Sequence, residues 1–183
     1  MSRVMGAHLG NKLLHDKEHW EIHEGDSYTV ETVDEDMGDG DIINIGFKTP
    51  AAVSIHMVAN FTSKTAAHMT IYEGPTWSGT QGSGVAIPIV NRNRKVTNES
   101  TLLTNIYDAG FVASGSVNSD LTGLGGGTVI KQRWAYAANI GTPSPSRGQH
   151  EWLLSGGTQY AIQVETDAAT SAAEIELNWY EES

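Results

Sequence analysis

Two stretches near the C-terminal end alternate apolar and polar residues at every second position. They cover residues 159–166 and 173–180, on either side of a short polar connection. A period of two places one set of side chains on a buried face of a β-strand and the other set in water. The buried set comprises Tyr160, Ile162, Val164, Ile175, Leu177 and Trp179. The pattern therefore predicts a half-buried antiparallel strand pair at this end of the chain.

The rest of the chain contains further short runs that are bounded by Gly, Pro, Asn, Asp and Ser residues. The clearest run is 53–61, with an apolar residue at every second position. The runs predict about eight or nine strands and no long helix. Upstream of the C-terminal pair they cover residues 27–33, 42–48, 53–61, 67–73, 85–90 and 128–136, with 101–107 and 111–114 as additional candidates. We therefore predict an all-β fold, an antiparallel jelly-roll-like β-sandwich, because two packed sheets bury all of these faces.

The length of 183 residues favours a single domain. Residues 1–20 show neither strand alternation nor a clean helical stripe, so we predict an extended or partly helical N-terminal arm there. Residues 21–183 then form one β-sandwich domain. The apolar side chains of the arm are Met5, Leu9, Leu13 and Leu14. Two alternatives stay open for the arm: it becomes ordered on a partner, or it is disordered.

Composition excludes several classes of function. The chain has no cysteine, which removes disulfides, thiolate metal ligands and a cysteine nucleophile. Its net charge of −11 argues against a nucleic-acid partner, because phosphate binding needs clustered Lys and Arg. No apolar run is long enough for a membrane helix, and we expect no membrane partner. Within this acidic chain, Arg92, Arg94 and Lys95 form a local positive island.

Three histidines, His15, His19 and His23, are spaced by four residues. On a helix this spacing places three imidazoles on one face, which is a geometry able to hold zinc. The neighbouring Trp20 and Ile22 instead favour the approach to a strand, on which the histidines do not converge. We therefore predict solvated histidines and no metal site.

The acidic run Asp34–Asp41 superficially resembles a calcium-binding loop. Its spacing does not match one, because Gly38 stands where an oxygen ligand is required and Ile45 stands where a bidentate Glu is required. We predict an acidic hairpin loop that faces water.

No catalytic constellation is found in the sequence. The nucleophile elbow, the phosphate-binding loop and the zinc-protease motif are all absent. The glycines of Gly123–Gly127 lack the strand-to-helix setting of a nucleotide site and are interpreted as a flexible loop. Glu165 and either Glu174 or Glu176 are predicted to face each other across the last hairpin, and solvated acidic faces explain them. We expect no enzymatic activity and no cofactor.

The aromatic residues of the predicted loops and strands allow a second reading. Trp77, Trp134, Trp152 and Tyr136 are candidates for a platform on which sugar rings stack. Burial in the sandwich core is the competing interpretation, and we favour it for at least two of them.

Several short motifs, taken together in their order, resemble the head decoration (cement) proteins of tailed bacteriophages, which are small β-sandwich virion proteins. The motifs are Ile22–Val30, Phe47–Pro50, His56–Met57, Ile71–Gly74, Asn91–Arg94, Arg147–Leu154, Gly157–Tyr160 and Leu177–Glu181. They span most of the chain and leave residues 105–138 unmatched. The resemblance implies a structural role on the phage head surface, after synthesis in the bacterial host cytoplasm. It carries over no catalytic residues.

The resemblance leads to a specific expectation about function. We expect a protein that binds the outside of the head, bridges and stabilises major capsid protein subunits, and makes homo-oligomeric or self-contacts on the capsid. A ligand that binds the assembled shell but not the dispersed subunits stabilises the assembly by mass action. The candidate capsid contacts are Met5, Leu9, Leu13 and Leu14 of the arm, with Arg92, Arg94 and Lys95 of the positive island. The alternative is a tail-associated carbohydrate- or receptor-binding module that uses loop aromatics.

Overall fold

The structure is a computed structural model that describes residues 16–77, 86–106, 110–135 and 151–182. Within these residues the chain forms one α-helix, α1 (Asp16–Glu24), and thirteen β-strands. The strands are β1 (Ser27–Met37), β2 (Ile42–Lys48), β3 (Ser54–Ser63), β4 (Ala67–Glu73), β5 (Ile87–Pro88), β6 (Val90–Asn91), β7 (Leu103–Ile106), β8 (Gly110–Ala113), β9 (Ser116–Ser119), β10 (Thr128–Ala135), β11 (Trp152–Leu154), β12 (Gln159–Thr166) and β13 (Ser171–Glu182).

The strands form two antiparallel sheets that pack against each other. The first sheet has five strands in the order β11-β3-β13-β1-β6. The second follows the order β10-β4-β12-β2-β7-β8, and β9 joins it through β2 and pairs with β5. The predicted all-β antiparallel sandwich is confirmed.

The core lies between the two sheets. Its largest fully buried side chains include Trp179, Tyr28, Tyr160, Phe47, Phe61 and Met69. The rings of Tyr28 and Trp179 stack at 5.7 Å, and those of Phe47 and Tyr160 stack at 5.9 Å. All six apolar residues that the alternation of β12 and β13 marked as buried are buried in the structure.

The predicted pairing of the last two strands is wrong. β12 pairs with β2 and β4 in one sheet, whereas β13 pairs with β1 and β3 in the other. The connection between Thr166 and Ser171 therefore crosses from sheet to sheet, and the two apolar faces meet across the core. Alternation specifies which face is buried but not which strand is the neighbour. Glu165 consequently lies opposite Ile42 and His68, and not opposite Glu174 or Glu176.

The predicted hairpin at the acidic run is also wrong, although the acidic side chains are exposed as expected. Strand β1 continues through Asp34–Asp36 to Met37, whose side chain is buried and holds the strand end on the core. β1 and β2 belong to different sheets, so the turn between them is a crossover connection. Gly38 N donates a hydrogen bond to Asp41 Oδ2 at 2.6 Å within this turn.

A further strand lies where a loop was predicted. None of the predicted strands covers residues 116–127, but β9 occupies Ser116–Ser119 and all four of its residues are buried. Asn118 accepts hydrogen bonds from Thr104 Oγ1 at 2.8 Å and from Asn105 N at 2.6 Å. Val117 packs in the core, while the other three residues of the strand are polar and buried, so the strand shows little hydrophobic pattern.

The segment before β1 is a helix and not the approach to a strand. α1 includes Trp20 and Ile22, so the expectation based on their β propensity is wrong. The helix ends at Gly25, which has φ +91° and whose N–H donates to Glu21 O at 3.0 Å. A glycine in this left-handed conformation terminates a helix, and the propensity of the two bulky residues is too weak a signal to exclude one. Residues 16–20 of the predicted arm therefore belong to this helix.

Candidate functional site

The C-terminal end of α1 packs on a turn that follows β6. A Cβ atom built on Gly25 would lie only 2.5 Å from Val96 Cγ2, which shows how closely the chain approaches this turn. Asn91 Nδ2 donates to Gly25 O at 2.7 Å, and Asn93 Nδ2 donates to His23 O at 3.0 Å. Amide side chains of the turn therefore satisfy carbonyl groups at the helix end.

The turn itself is attached to the edge of the five-stranded sheet. Arg92 N donates to Ser27 O at 2.9 Å, and Arg92 Nη1 lies 3.4 Å from Ser27 Oγ. Asn91 Oδ1 accepts from Asn93 N at 2.8 Å, and Asn91 Nδ2 also donates to Asn98 O at 3.0 Å. These bonds fix residues 91–98 as a rigid platform beside the helix. We call α1 residues 19–24 together with turn residues 91–98 the helix–turn surface.

The predicted positive island lies on this surface. Arg94 and Lys95 are exposed, whereas Arg92 is partly buried through its contacts with Ser27. Trp20 of α1 is 57% exposed, a high value for a tryptophan. The arm candidates Met5, Leu9, Leu13 and Leu14 lie outside the described residues. The structure thus brings the basic turn next to the helix that follows the arm in the sequence.

A buried carboxylate stabilises the chain just beyond the turn. Glu181 is 8% exposed and accepts hydrogen bonds from Ser100 Oγ at 2.6 Å, Thr101 N at 3.0 Å, Thr101 Oγ1 at 2.6 Å and Trp179 Nε1 at 3.1 Å. Several donors compensate the cost of removing the charge from water. The cluster ties residues 100–101 to β13.

Tyr28 lies beside this cluster. Its hydroxyl donates to Glu99 O at 3.2 Å, and its side chain is almost fully buried. Burial raises the pKa of Tyr28 far above its ordinary value, with smaller contributions from the charges of Glu181 and Asp26. The phenol is therefore kept in its neutral, donating form. The sequence did not indicate the role of Glu181, because three of its four donor groups belong to Ser100 and Thr101, about 80 residues earlier.

Two histidines on opposite sheets each lie between two carboxylates. His56 Nδ1 is 3.7 Å from Glu151 Oε1, and His56 Nε2 is 3.7 Å from Glu182 Oε2. The imidazole stacks on Tyr180 with ring centroids 4.6 Å apart. His56, Glu182 and Tyr180 come from the paired strands β3 and β13, so this grouping follows from strand register.

The second histidine cluster includes the most exposed of the candidate aromatic residues in the sandwich. His68 Nε2 is 3.6 Å from Glu165 Oε2, and His68 Nδ1 is 3.7 Å from Asp167 Oδ2. The imidazole stacks on Trp134 with ring centroids 4.4 Å apart. Trp134 is 48% exposed, on strand β10 at the end of the sheet. The cluster presents one aromatic face with two carboxylates nearby.

The other candidate aromatics do not share this exposure. Trp77 is partly buried and contacts Phe111 edge to face at 5.7 Å. Trp152 packs against the core and lies under Lys131 Nζ, 5.7 Å from its ring centroid. Tyr136 lies outside the described residues. Of the predicted sugar-stacking platform, the structure therefore leaves Trp134, which stacks on His68.

The interior offers little space for a ligand. An apolar cavity of about 10 Å³ lies between the sheets and is lined by Phe47, Met57, Ala59, Ile71, Trp152, Leu154, Tyr160 and Ile162. A cavity of this volume has room for about one water molecule at most. Over the described ranges, no group of three or more His, Asp or Glu side chains is arranged to hold a metal ion. In the same part of the chain, no helix has the length and apolar character needed to cross a membrane.

Comparison of the chain with protein-family models, with curated proteins and with solved structures finds no match. The fold and the helix–turn surface therefore rest on the contacts described above. The resemblance to head decoration proteins stays a prediction from the sequence motifs.

Proposed function

We propose that this protein is a non-enzymatic decoration protein of a tailed-phage head, which binds the outer capsid surface and bridges major capsid protein subunits. The observation that supports the proposal is the position of the helix–turn surface. This surface carries an exposed tryptophan, Trp20, on α1. It also carries two exposed cations, Arg94 and Lys95, on the turn that packs against the end of this helix.

The surface has the physical character of a docking site. Exposed aromatic and basic side chains are enriched among the residues that dominate binding energy. The hydrogen bonds from Asn91 and Asn93 to the helix end hold the surface in one conformation, so docking costs little additional ordering. An arm that becomes ordered on a neighbouring capsid subunit would add contact area to this rigid contact.

The charge distribution supports the orientation of binding. The chain carries a net charge of −11, so most of its surface repels an acidic partner. Arg94 and Lys95 are an exception, and they would face acidic groups of the shell. Such contacts accelerate association and weaken with salt. Two kinds of contact from one subunit, the arm and the turn, would raise the overall affinity through effective concentration.

Charge reversal at the turn tests the proposal. In Arg94→Glu/Lys95→Glu, both exposed side chains change sign while the hydrogen bonds made by Asn91 and Asn93 are left intact. We expect co-sedimentation with phage heads that lack the protein to fall by about tenfold or more. Lys64→Glu reverses an exposed charge in the β3–β4 connection and is the matched control, for which binding should change little.

Removal of residues 1–14 tests the arm separately. The truncated protein should keep its sandwich, bind heads less tightly and protect them less against heat. Unchanged binding by both the charge-reversed and the truncated protein would refute the proposed docking surface. Failure of the unaltered protein to bind heads would refute the decoration function itself.

A second candidate function is a tail-associated carbohydrate-binding module, and Trp134 favours it. Its ring is half exposed and stacked on His68, with the carboxylates of Glu165 and Asp167 beside the imidazole. An aromatic face with neighbouring hydrogen-bond acceptors is suited to a sugar ring. In that case Trp134→Ala would abolish binding to host polysaccharide, while Arg94→Glu/Lys95→Glu would leave it unchanged.

A further inference from the structure

We propose that His19 and His23 form a two-histidine chelate for a divalent transition metal on the exposed face of α1. The two side chains are four residues apart on the helix, and both are exposed. Their Nε2 atoms are 3.1 Å apart and their ring centroids are 4.5 Å apart. The two nitrogens therefore lie close enough together to bind one ion.

The separation of the two nitrogens fits a shared metal ion. Imidazole nitrogens bind Zn²⁺ at about 2.0–2.1 Å. With Nε2 atoms 3.1 Å apart, bonds of that length meet at the metal with an angle of about 98°. This angle lies between the values of about 90° for octahedral or square-planar and about 109° for tetrahedral coordination.

Metal binding requires both Nε2 atoms to offer a lone pair. The 3.1 Å contact is a hydrogen bond in which one neutral ring donates its Nε2–H and the other ring accepts it. On binding, the donating ring shifts its proton to Nδ1, so both rings stay neutral and both Nε2 atoms become ligands. The metal then replaces the shared proton between the two nitrogens.

The helix end holds the pair in place. Asn93 Nδ2 donates to His23 O at 3.0 Å, and Gly25 N and Asp26 N both donate to Glu21 O, at 3.0 and 2.9 Å. The last turn of α1 is therefore anchored to residues 91–98. A site that is ordered before the ligand arrives loses less entropy on binding.

The donor set indicates which metals would bind. Two imidazoles favour Ni²⁺, Cu²⁺ and Zn²⁺ over Mg²⁺ and Ca²⁺, which prefer oxygen ligands. Among the residues that the structure describes, no third His, Asp or Glu completes a metal-binding group. The sequence argument against a metal assumed a strand at this segment, and that assumption does not hold because α1 is a helix.

The test is a Ni²⁺ titration of the full-length protein without a polyhistidine tag. Calorimetry measures the dissociation constant. Tryptophan fluorescence reports whether the ion binds near Trp20, which is 57% exposed and follows His19 directly in the sequence. We expect saturable binding at one ion per chain with quenching, and competition by Zn²⁺ but not by Mg²⁺. His19→Gln and His23→Gln should each weaken Ni²⁺ binding by at least about tenfold, because each removes one of the two imidazoles of the pair.

Two controls make the result specific. His56→Gln and His68→Gln remove the histidines of the two carboxylate clusters and should leave the Ni²⁺ dissociation constant within about twofold of the parent value. Trp20→Phe should remove most of the quenching and keep the heat of binding. Binding that survives both His19→Gln and His23→Gln, or that is lost equally in His56→Gln, would overturn the proposal. Because the pair is exposed, unchanged circular dichroism should confirm that the variants fold.

Discussion

Replacement of Glu181 by alanine tests how much the buried carboxylate stabilises residues 100–101, which follow the helix–turn surface. The carboxylate accepts bonds from four donor groups, and two of them, Ser100 Oγ and Trp179 Nε1, make buried contacts. Each buried donor left without a partner costs about 1–3 kcal/mol. Two such donors give about 2–6 kcal/mol, less what is recovered because a charge no longer has to be desolvated. We expect Glu181→Ala to lower the free energy of unfolding by about 3–4 kcal/mol.

Urea denaturation followed by far-UV circular dichroism measures this loss, because the signal does not depend on Trp179. The slope of the free energy against urea should stay constant, since the fold is retained. Glu174→Ala is the matched control on the same strand. Glu174 accepts one exposed bond, from Thr62 Oγ1 at 3.2 Å, so its loss should change stability by no more than about 0.5 kcal/mol. A loss below about 1 kcal/mol for Glu181→Ala would refute the argument that this carboxylate is a structural anchor.

Three further predictions follow from single residues. Leu177→Ala, at a fully buried position of β13, should lower the free energy of unfolding in urea by about 2–5 kcal/mol. Glu176→Ala, on the opposite face, should lower it by no more than about 0.5 kcal/mol. Equal losses would mean that the strand faces are wrongly assigned. Gly25→Ala should destabilise the helix end by about 1–3 kcal/mol, through positive φ and the contact with Val96, and hydrogen exchange should localise the effect to α1. Burial raises the pKa of Tyr28 and Tyr160 in the folded protein. The free energy of unfolding should therefore fall as the pH rises above about 10, where tyrosines ionise in the unfolded chain but these two do not ionise in the fold. An alkaline pH titration of Tyr160→Phe should show a shallower fall.

The two-residue period predicted the buried faces of β12 and β13 correctly. It identified Ile175, Leu177 and Trp179 as core residues because burial of alternate side chains leaves a direct imprint on sequence. It did not predict that β12 and β13 belong to different sheets. A short connection between alternating strands is compatible with a hairpin and with a crossover, and only the assembled core distinguishes the two.

The features of the helix–turn surface were only partly predictable. The positive island was visible as a cluster of charges, but its position against α1 depends on hydrogen bonds from Asn91 and Asn93 to carbonyl groups distant in sequence. The helix was missed because Trp20 and Ile22 suggested a strand, whereas propensity is a weak signal that the surrounding structure overrides. The anchoring role of Glu181 depends on a loop 80 residues earlier, and no local pattern reports such a contact.

A reconstruction of the intact phage particle tests the proposed function most directly. The account predicts density for the β-sandwich on the outer surface of the head, with α1, Arg94 and Lys95 facing the shell and the arm extending onto a neighbouring major capsid subunit. Density for the sandwich in the tail, or on the head with the helix–turn surface directed away from the shell, would contradict it.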